Sequence, residues 1–589
     1  MSDFLFSSVP NNADVLAASI KDYDSGIQIF QGVWGSLVVT NTKYPGFDPI
    51  ETEEHIAIVV GGPVLYFRDN NFISEGNSSV GTVSILEHWK SNCIRWDEDL
   101  SGPFVILIVD KVRSEIKCIT DLMLFVPVYY KYNNNNIYIS TQSEAVAKAT
   151  NSERNFDEVS LVDFILNSVI TFPHTAYKNI YQIEPATIFN LKSHLDSHKE
   201  HATMIYWKPS ELNEFANIQE ASKYLYEGVQ GYVKRLTKNL DHIAHFISAG
   251  EDSRSVAGLL AKSELKRDAY IFLDNMNREG KIAKKVAKAY GADFKLGYRN
   301  KEHYLNILPT ASDLVGPGHQ YAHSHTLGFD KKFDLSSYPA VFGGYIADSL
   351  LKAEYANKPK WLKRFPFLPQ FVLKKNINDK IGNSEIFSKE ILREIKNRRS
   401  KHLTNIKKIR PNSYQEWFKL WPATMRSTIP NLYCNRRLFA SHEIFTAKES
   451  VKLAASVPVE WKLNRRLFNQ AFKPALKKSQ FIFHADGRLP YYTWRVNIFI
   501  QAPIWFYRKT LAWVKSKELN EGPWGDWESV INSNSWNCTI TSLQQDTNLK
   551  EINKAMDKGF SLESKFTISE KINLLQVCYH INKKSISSK

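Results

Sequence analysis

The chain reads as an α/β protein assembled from unlike parts, and three changes of pattern along it carry that reading. Residues 1 to about 205 are β-rich, the stretch from about 215 alternates strands with helices, and beyond 357 the pattern is mainly helical. In the first part, short apolar or alternating runs sit between Gly, Asp and Asn: HIAIVV at 55–60, FVILIVD at 104–110 and NIYIST at 136–141. The asparagine run at 133–136 marks a hairpin-type turn between two such strands. Short helices are expected at 84–92 and 156–166.

From about 215 the order becomes strand 242–248, helix 253–263, strand 269–274, helix 280–290 and strand 293–297. A later strand at 340–345 feeds a helix at 347–355. Strands that alternate with helices call for a parallel sheet covered on both faces. At roughly 150 residues per domain, 589 residues predict two to four domains. The boundaries are expected at 1–208, 215–520 and 521–589. No internal repeat is visible, and the polar tail after about 545 carries no signal.

Composition narrows the function classes. With 43% hydrophobic and 13% aromatic residues the chain can bury a large core, which excludes a disordered protein. Five scattered cysteines form no CxxC pair, so a zinc ribbon and a disulfide scaffold are both unsupported and a reducing compartment is expected. The opening MSDFLFSSVP lacks a basic stretch followed by an apolar core, and no signal peptide is expected. The most apolar stretch, 498–507, is interrupted by Gln501 and Pro503 and falls short of the about 20 residues that span a bilayer. A soluble, cytoplasmic protein with no membrane span is expected. The formal charge is +15, and residues 358–410 hold 16 Lys/Arg against four acids. That segment is either a solvated helical face or a surface for an acidic partner. It shows no aromatic-interleaved motif for bases, so nucleic acid is not expected as a partner.

The sharpest motif is Ser248-Ala249-Gly250-Glu251-Asp252-Ser253, set between a strand and a helix. Small residues let backbone approach a ligand, and free N–H groups at a helix start hold anionic oxygens. Asp252 beside such a site suits Mg²⁺, which takes carboxylate together with phosphate oxygens. An ordinary strand–helix turn with caps fits the hexapeptide equally well. A second acid, Asp348, follows a later strand, and ligands of such sheets bind at the carboxyl ends of the strands.

In context the hexapeptide resembles the SGGxDS loop of the ATP-pyrophosphatase family, in particular of class B asparagine synthetases. Asn277-Arg278-Glu279 with the following helix, Val341 to Asp348 (VFGGYIAD, like "SGxGAD") and residues 450–464 (like "SLPxELK") extend the likeness. So do Leu100-Ser101-Gly102-Pro103-Phe104, Asp110, Asp121, Pro127-Val128-Tyr129-Tyr130 and Ser143-Glu144, which resemble its N-terminal glutaminase domain. The likeness covers about residues 25 to 510. It implies an N-terminal αββα N-terminal-nucleophile-like domain, then an α/β ATP-pyrophosphatase domain with a helical C-terminal part. It further implies ATP and Mg²⁺ as cofactors. Nucleotide or pyrophosphate would meet Ile247, Ser248, Gly250, Asp252, Ser253, Leu273 and Gly344, and metal would meet Asp252 and Asp348.

The departures are informative. The family's glutaminase uses a Cys where this chain has Ser2, and its "NGE" element is replaced by Gly61-Gly62-Pro63. Glutamine hydrolysis is therefore expected to be lost, although a hydroxyl activated by a terminal amine is a known nucleophile. Tyr345 stands where many asparagine synthetases carry Glu, as in the β-lactam synthetases, where a tyrosine removes a proton. A phenol with a reference pKa of about 10 needs a partner acid for that role, and a packing aromatic is the alternative. The family's late "RxKxxF" lysine finds no match at 484–490, where Arg488 is the available cation, and its "PFLD" element is blurred to Ile444-Phe445-Thr446-Ala447. The resemblance thus implies ATP-dependent amide formation through an acyl-adenylate, with Tyr345 and Arg488 in catalytic roles. The partners would be a small-molecule or peptide carboxylate and an amine. An asparagine synthetase using ammonia and a non-catalytic nucleotide-binding protein remain as alternatives, and a homodimer stays open.

Overall fold

The computed structural model describes the chain apart from residues 1–2, 22–25, 77, 193–201, 357–358, 360–361, 363, 366, 372–385, 515–521, 545–565 and 587–589. Ser2 lies outside the described residues. One six-stranded antiparallel sheet runs in the order Tyr181–Gln182, Tyr129–Asn133, Asn136–Ser140, Phe4–Ser7, Gly35–Thr40, Ile27–Gly32. A second runs Ala202–Ile205, Thr187–Lys192, Glu115–Thr120, Phe104–Asp110, His55–Gly61, Ile50–Glu51.

Side-chain alternation builds four layers from these strands. Phe4, Phe6, Leu37 and Val39 of one sheet meet Ile58, Val60, Val105 and Leu107 of the other between the sheets. Leu5 and Val38 point outward onto Leu16 and Val146 from helices Ala13–Ser19 and Ser143–Ala149. Val59 and Ile106 point outward on the far side, where Ile85 and Leu86 of helix Val80–Lys90 cover them. The αββα layering is thus present, and unbroken apolar runs such as HIAIVV follow because both sheet faces are covered. The hairpin turn is Asn134-Asn135, with φ of 49° and 66°, the left-handed pair that a two-residue hairpin favours. The helix expected at 84–92 begins earlier, at Val80, where a side chain on Gly81 would lie 2.6 Å from the Phe47 ring.

The third sheet is fully parallel, in the order Asp293–Tyr298, Lys266–Leu273, His242–Phe246, Val341–Gly343, Ser441–Glu443. Ala269, Ile271 and Leu273 face Ala283, Val286 and Ala287 of helix Arg278–Tyr290. Tyr270 and Phe272 face Phe329 and Leu335 on the opposite side. The helix expected over 347–355 stops at Leu351, and Ala353 adopts a left-handed φ of 52° that no helix continues through.

Helical chain dominates after 389. Helix Lys389–Ile409 packs on Glu158–Asn167, so part of the basic segment faces inward. Arg398 meets Asp157 at 2.5 Å, and Arg410 donates to the Pro209 carbonyl at 2.7 Å while lying 4.2 Å over Trp417. Among the described residues no helix is long and apolar enough to cross a membrane.

Candidate active site

Strand His242–Phe246 is one of the central strands of the parallel sheet, and the chain leaves its carboxyl end through Ile247–Gly250 into helix Glu251–Leu260. The loop is tied by its own serines: Ser248 N–H donates to Ser253 Oγ at 3.0 Å, and Gly250 N–H to Ser248 Oγ at 3.0 Å. Ala249 N–H donates to Glu279 Oε1 at 2.6 Å, which gives the acid of the 277–279 motif a defined purpose. Gly344 comes from the neighbouring strand end and lies so close that a Cβ there would sit 3.1 Å from the Asp252 backbone. A small residue is what that approach requires.

Three carboxylates, Glu251, Asp252 and Asp348, bring oxygens within 4.8 Å of one another. Asp252 and Asp348 follow adjacent parallel strands, which is why residues so far apart in sequence converge. Into this cluster reaches Lys352, one turn after Asp348: its ammonium lies 3.0 Å from Glu251 Oε1, 2.9 Å from Asp348 Oδ1, and against Asp252 Oδ1. Arg465 Nε at 2.7 Å and Arg488 Nη1 at 3.0 Å complete the shell around Glu251. Burial would raise the Glu251 pKa, but Arg488, Lys352 and Arg465 outweigh it and hold the group well below the carboxylate range. Asp252 goes the other way, to about 7, because burial and the like charges of Asp348 and Glu251 outweigh Lys352. Hard oxygen donors around a site already filled by an ammonium fit a divalent cation, with Asp252 and Asp348 to hold it.

Tyr345 N–H donates to Glu443 Oε2 at 2.8 Å, and the Arg426 guanidinium lies 4.8 Å from the centre of its ring. Burial pushes the phenol above its ordinary range, so its proton is held rather than shed. The acid beside Tyr345, Glu443, is itself raised to about 7 by burial, but it engages the backbone and not the phenol. Arg426 also meets Glu354 at 3.2 Å, and Ser349 donates to the same carboxylate.

A cavity of about 830 Å³ opens over these groups. Ile247, Ser248, Gly250, Asp252, Ser253, Gly344, Tyr345 and Asp348 all line it. Arg488 reaches the loop through Glu251 instead. Leu273 is fully buried against the helix Arg278–Tyr290 and is not part of the lining. The far wall comes from the C-terminal chain: Trp524, Trp527, Ile568 and Ile572. Arg299 pins that wall by bonding both Asp274 Oδ1 (2.7 Å) and the Pro523 carbonyl (2.8 Å), and Gln320 bonds Asn573 at 2.6 Å.

Lys352, Arg465, Glu354 and the C-terminal wall were not legible in advance as site residues, and Glu251 stood inside the 248–253 motif with no role of its own assigned. Among the others Lys352 had a signal, its i, i+4 spacing from Asp348. In the antiparallel part, Gly61 has φ of 91° and a Cβ on Gly62 would lie 2.2 Å from the Tyr44 ring, so the segment 61–63 is closely packed. Asp3 is fully buried between Arg436 (3.0 Å) and Arg437 (2.7 Å).

Residues 46–207 match the model of a glutamine amidotransferase domain. A putative asparagine synthetase [glutamine-hydrolyzing] 2 of Methanocaldococcus jannaschii is 22% identical over 299 residues, 49% of this chain and 53% of that protein. Asparagine synthetase [glutamine-hydrolyzing] 1 of Bacillus subtilis is 22% identical over 229 residues, 38% of this chain and 35% of that protein. The chain is thus similar in sequence to these asparagine synthetases, and it spans about half the length of the first and about a third of the second. Solved structures that resemble it include an allosteric regulatory enzyme of purine biosynthesis, with a TM-score of 0.20, 9% identity and coverage of 45% of this chain and 67% of that one. Another is the glutamine phosphoribosylpyrophosphate amidotransferase from B. subtilis, with a TM-score of 0.19, 9% identity and coverage of 46% and 78%.

Proposed function

We propose that the protein is an ATP-dependent carbon–nitrogen ligase that activates a carboxylate as its acyl-adenylate and passes it to an amine. The observation that carries this reading is the convergence of Asp252 and Asp348 from adjacent strand ends on the loop Ser248–Ser253, at the mouth of a large cavity. The substrate carboxylate attacks the α-phosphate of ATP, pyrophosphate leaves, and the amine then displaces AMP. Asp252 and Asp348 would hold Mg²⁺, which supplies charge neutralisation on the phosphates. The free N–H groups at the start of helix Glu251–Leu260 bind pyrophosphate oxygens. Arg488 and Lys352 face the leaving group with positive charge, a form of preorganisation that supplies a few kcal/mol per group, about 3 for a single donor. Tyr345, with its proton retained, hydrogen-bonds and orients the incoming amine or the acyl oxygen.

Two observations favour a dedicated ligase or cyclase over an asparagine synthetase proper. The cavity is larger than aspartate needs, and Trp524, Trp527, Ile568 and Ile572 make its far wall apolar. Gly61-Gly62-Pro63 stands where the resembling glutaminases carry "NGE", which favours an amine other than glutamine-derived ammonia. One feature supports a second reading, a nucleotide-binding protein without turnover: Lys352 occupies the cation position among the three carboxylates.

Phosphorus NMR on the purified chain with MgATP separates these readings. Samples would contain aspartate plus ammonium, or a deproteinised metabolite extract. AMP and pyrophosphate only with extract are expected. Their release with aspartate would establish the asparagine synthetase reading instead. Nucleotide binding without release in either sample would move the assignment to the non-catalytic reading.

A further inference from the structure

Helix Trp494–Val514 is anchored by polar side chains: Asn497 bonds both N–H and C=O of Leu489, at 2.7 and 3.0 Å, and Arg508 donates to the Ala485 carbonyl at 2.8 Å. These bonds fix the rotation of the helix about its axis. The stripe left facing water is Val496, Phe499, Phe506 and Tyr507, at 43%, 81%, 54% and 64% exposure. Their spacing follows the i, i+3, i+4 rule that ordinarily marks a buried face. Neighbouring rings extend the patch, since Phe371 packs on Trp494 at 5.5 Å and Phe367 on Phe506 at 6.2 Å, and Phe371 is itself 67% exposed. A contiguous apolar patch of this kind on a protein surface marks an interaction site.

Charge selects the partner. Residues 494–517 contain Arg495, Arg508, Lys509, Lys515 and Lys517 and not one Asp or Glu. Lys358, Lys360, Lys363 and Arg364 precede the phenylalanines that pack on the helix. Exposed Phe and Tyr with Arg364, Arg495 and Lys509 close by in the chain is the composition of a helix lying in the headgroup region of an anionic bilayer. A protein partner for this face would instead have to bury aromatic area and match an all-cationic border. We propose that helix 494–514 docks the protein peripherally on an anionic lipid surface, with Phe499 and Phe506 inserted between headgroups. The docked element lies one contact from the site, because loop 484–488, which it holds, carries Arg488 to Glu251.

The full chain would be sedimented with vesicles of phosphatidylcholine alone and with an equimolar mixture of phosphatidylcholine and phosphatidylglycerol. Binding to the anionic vesicles, weakened by salt, and little binding to the neutral ones are expected. F499E/F506E should bind the anionic vesicles at least about tenfold more weakly, as the loss of two inserted phenylalanines requires. Both side chains face water, so the variant should keep the thermal midpoint of the parent, and nucleotide binding should be unchanged. Equal binding of parent and variant to anionic vesicles, or none by the parent, would overturn the proposal. A parent that dimerises in solution, with the variant monomeric and neither bound to vesicles, would also overturn it and assign the face to a second copy.

Discussion

At the edge of the antiparallel sheets, Asp3 is fully buried between Arg436 and Arg437, and burial is outweighed there by the two guanidinium groups, which keep its pKa far below the carboxylate range. At the carboxyl end of the parallel sheet, Asp252 and Asp348 also meet a cation, yet Asp348 is more than half exposed and a cavity of about 830 Å³ opens beside it. A cavity near the first pair is about 20 Å³, room for one water. The same chemical pairing therefore closes one crevice and leaves the other ready for a ligand. The difference lies in satisfaction. Asp3 accepts from both arginines and Thr141, whereas Asp252 and Asp348 share the Lys352 ammonium with Glu251, which also holds Arg465 and Arg488.

Breaking the closed side should have the largest effect. Asp3→Ala leaves two buried guanidinium groups without their anion and should cost about 3–5 kcal/mol, read as a lower urea midpoint. A loss under 1 kcal/mol would mean the pair is not what welds the two parts. On the open side, Asp252→Asn should lower pyrophosphate release at least about a hundredfold with little loss of stability. Undiminished release would remove Asp252 from the metal and phosphate role. Lys352→Met should destabilise the protein by about 1–3 kcal/mol in chelator, since it leaves three carboxylates facing each other. Millimolar Mg²⁺ should restore the melting temperature of that variant more than that of the parent. No difference in the Mg²⁺ response would show that the ammonium is not standing in a cation position.

Acid tests both regions together. Burial holds His245, His303 and His402 at about 4, and His319 and His442 at about 3. Each binds fewer protons folded than unfolded, so its contribution is complete above about pH 6.5 and is lost as pH falls toward 4. The urea midpoint should decline steadily from pH 7 to pH 5, and a flat profile would contradict buried neutral imidazoles. The smallest effect is expected at the wall: Trp524→Ala removes a ring 4.3 Å from that of His325 and should cost about 0.5–1.5 kcal/mol while widening the cavity. A large unfolding effect would recast the C-terminal chain as core instead of wall.

Much of the fold was legible because period and punctuation report local physics. The HIAIVV and FVILIVD runs, the Asn-Asn hairpin and the strand–helix alternation after 215 all appear where the sequence places them. Helix ends were less legible, as at Val80 and Leu351, since Gly81 and Ala353 answer to packing and backbone conformation set elsewhere. In the site, Ser248, Gly250 and Asp252 stood out because the 248–253 motif concentrates them, and Asp348 because it follows a second strand at 341–348. The side chain of Leu273, expected at the ligand, lies in the core, because residues alternate along a strand and it falls on the helix-covered face.

The amino-acid sequence by itself determined the strand and helix order, the small-residue loop at 248–253 and the two aspartates after strands. Each of those is a matter of residue type at short range. Only the tertiary structure decided that Lys352 sits among the acids, that Glu354 reaches Ser349 and Arg426, and that chain beyond 521 walls a cavity built nearly 300 residues earlier. Apart from the local Ser349–Glu354 and Asp348–Lys352 pairs, those contacts join segments far apart along the chain. They arise from how sheets and helices pack, which no local pattern encodes.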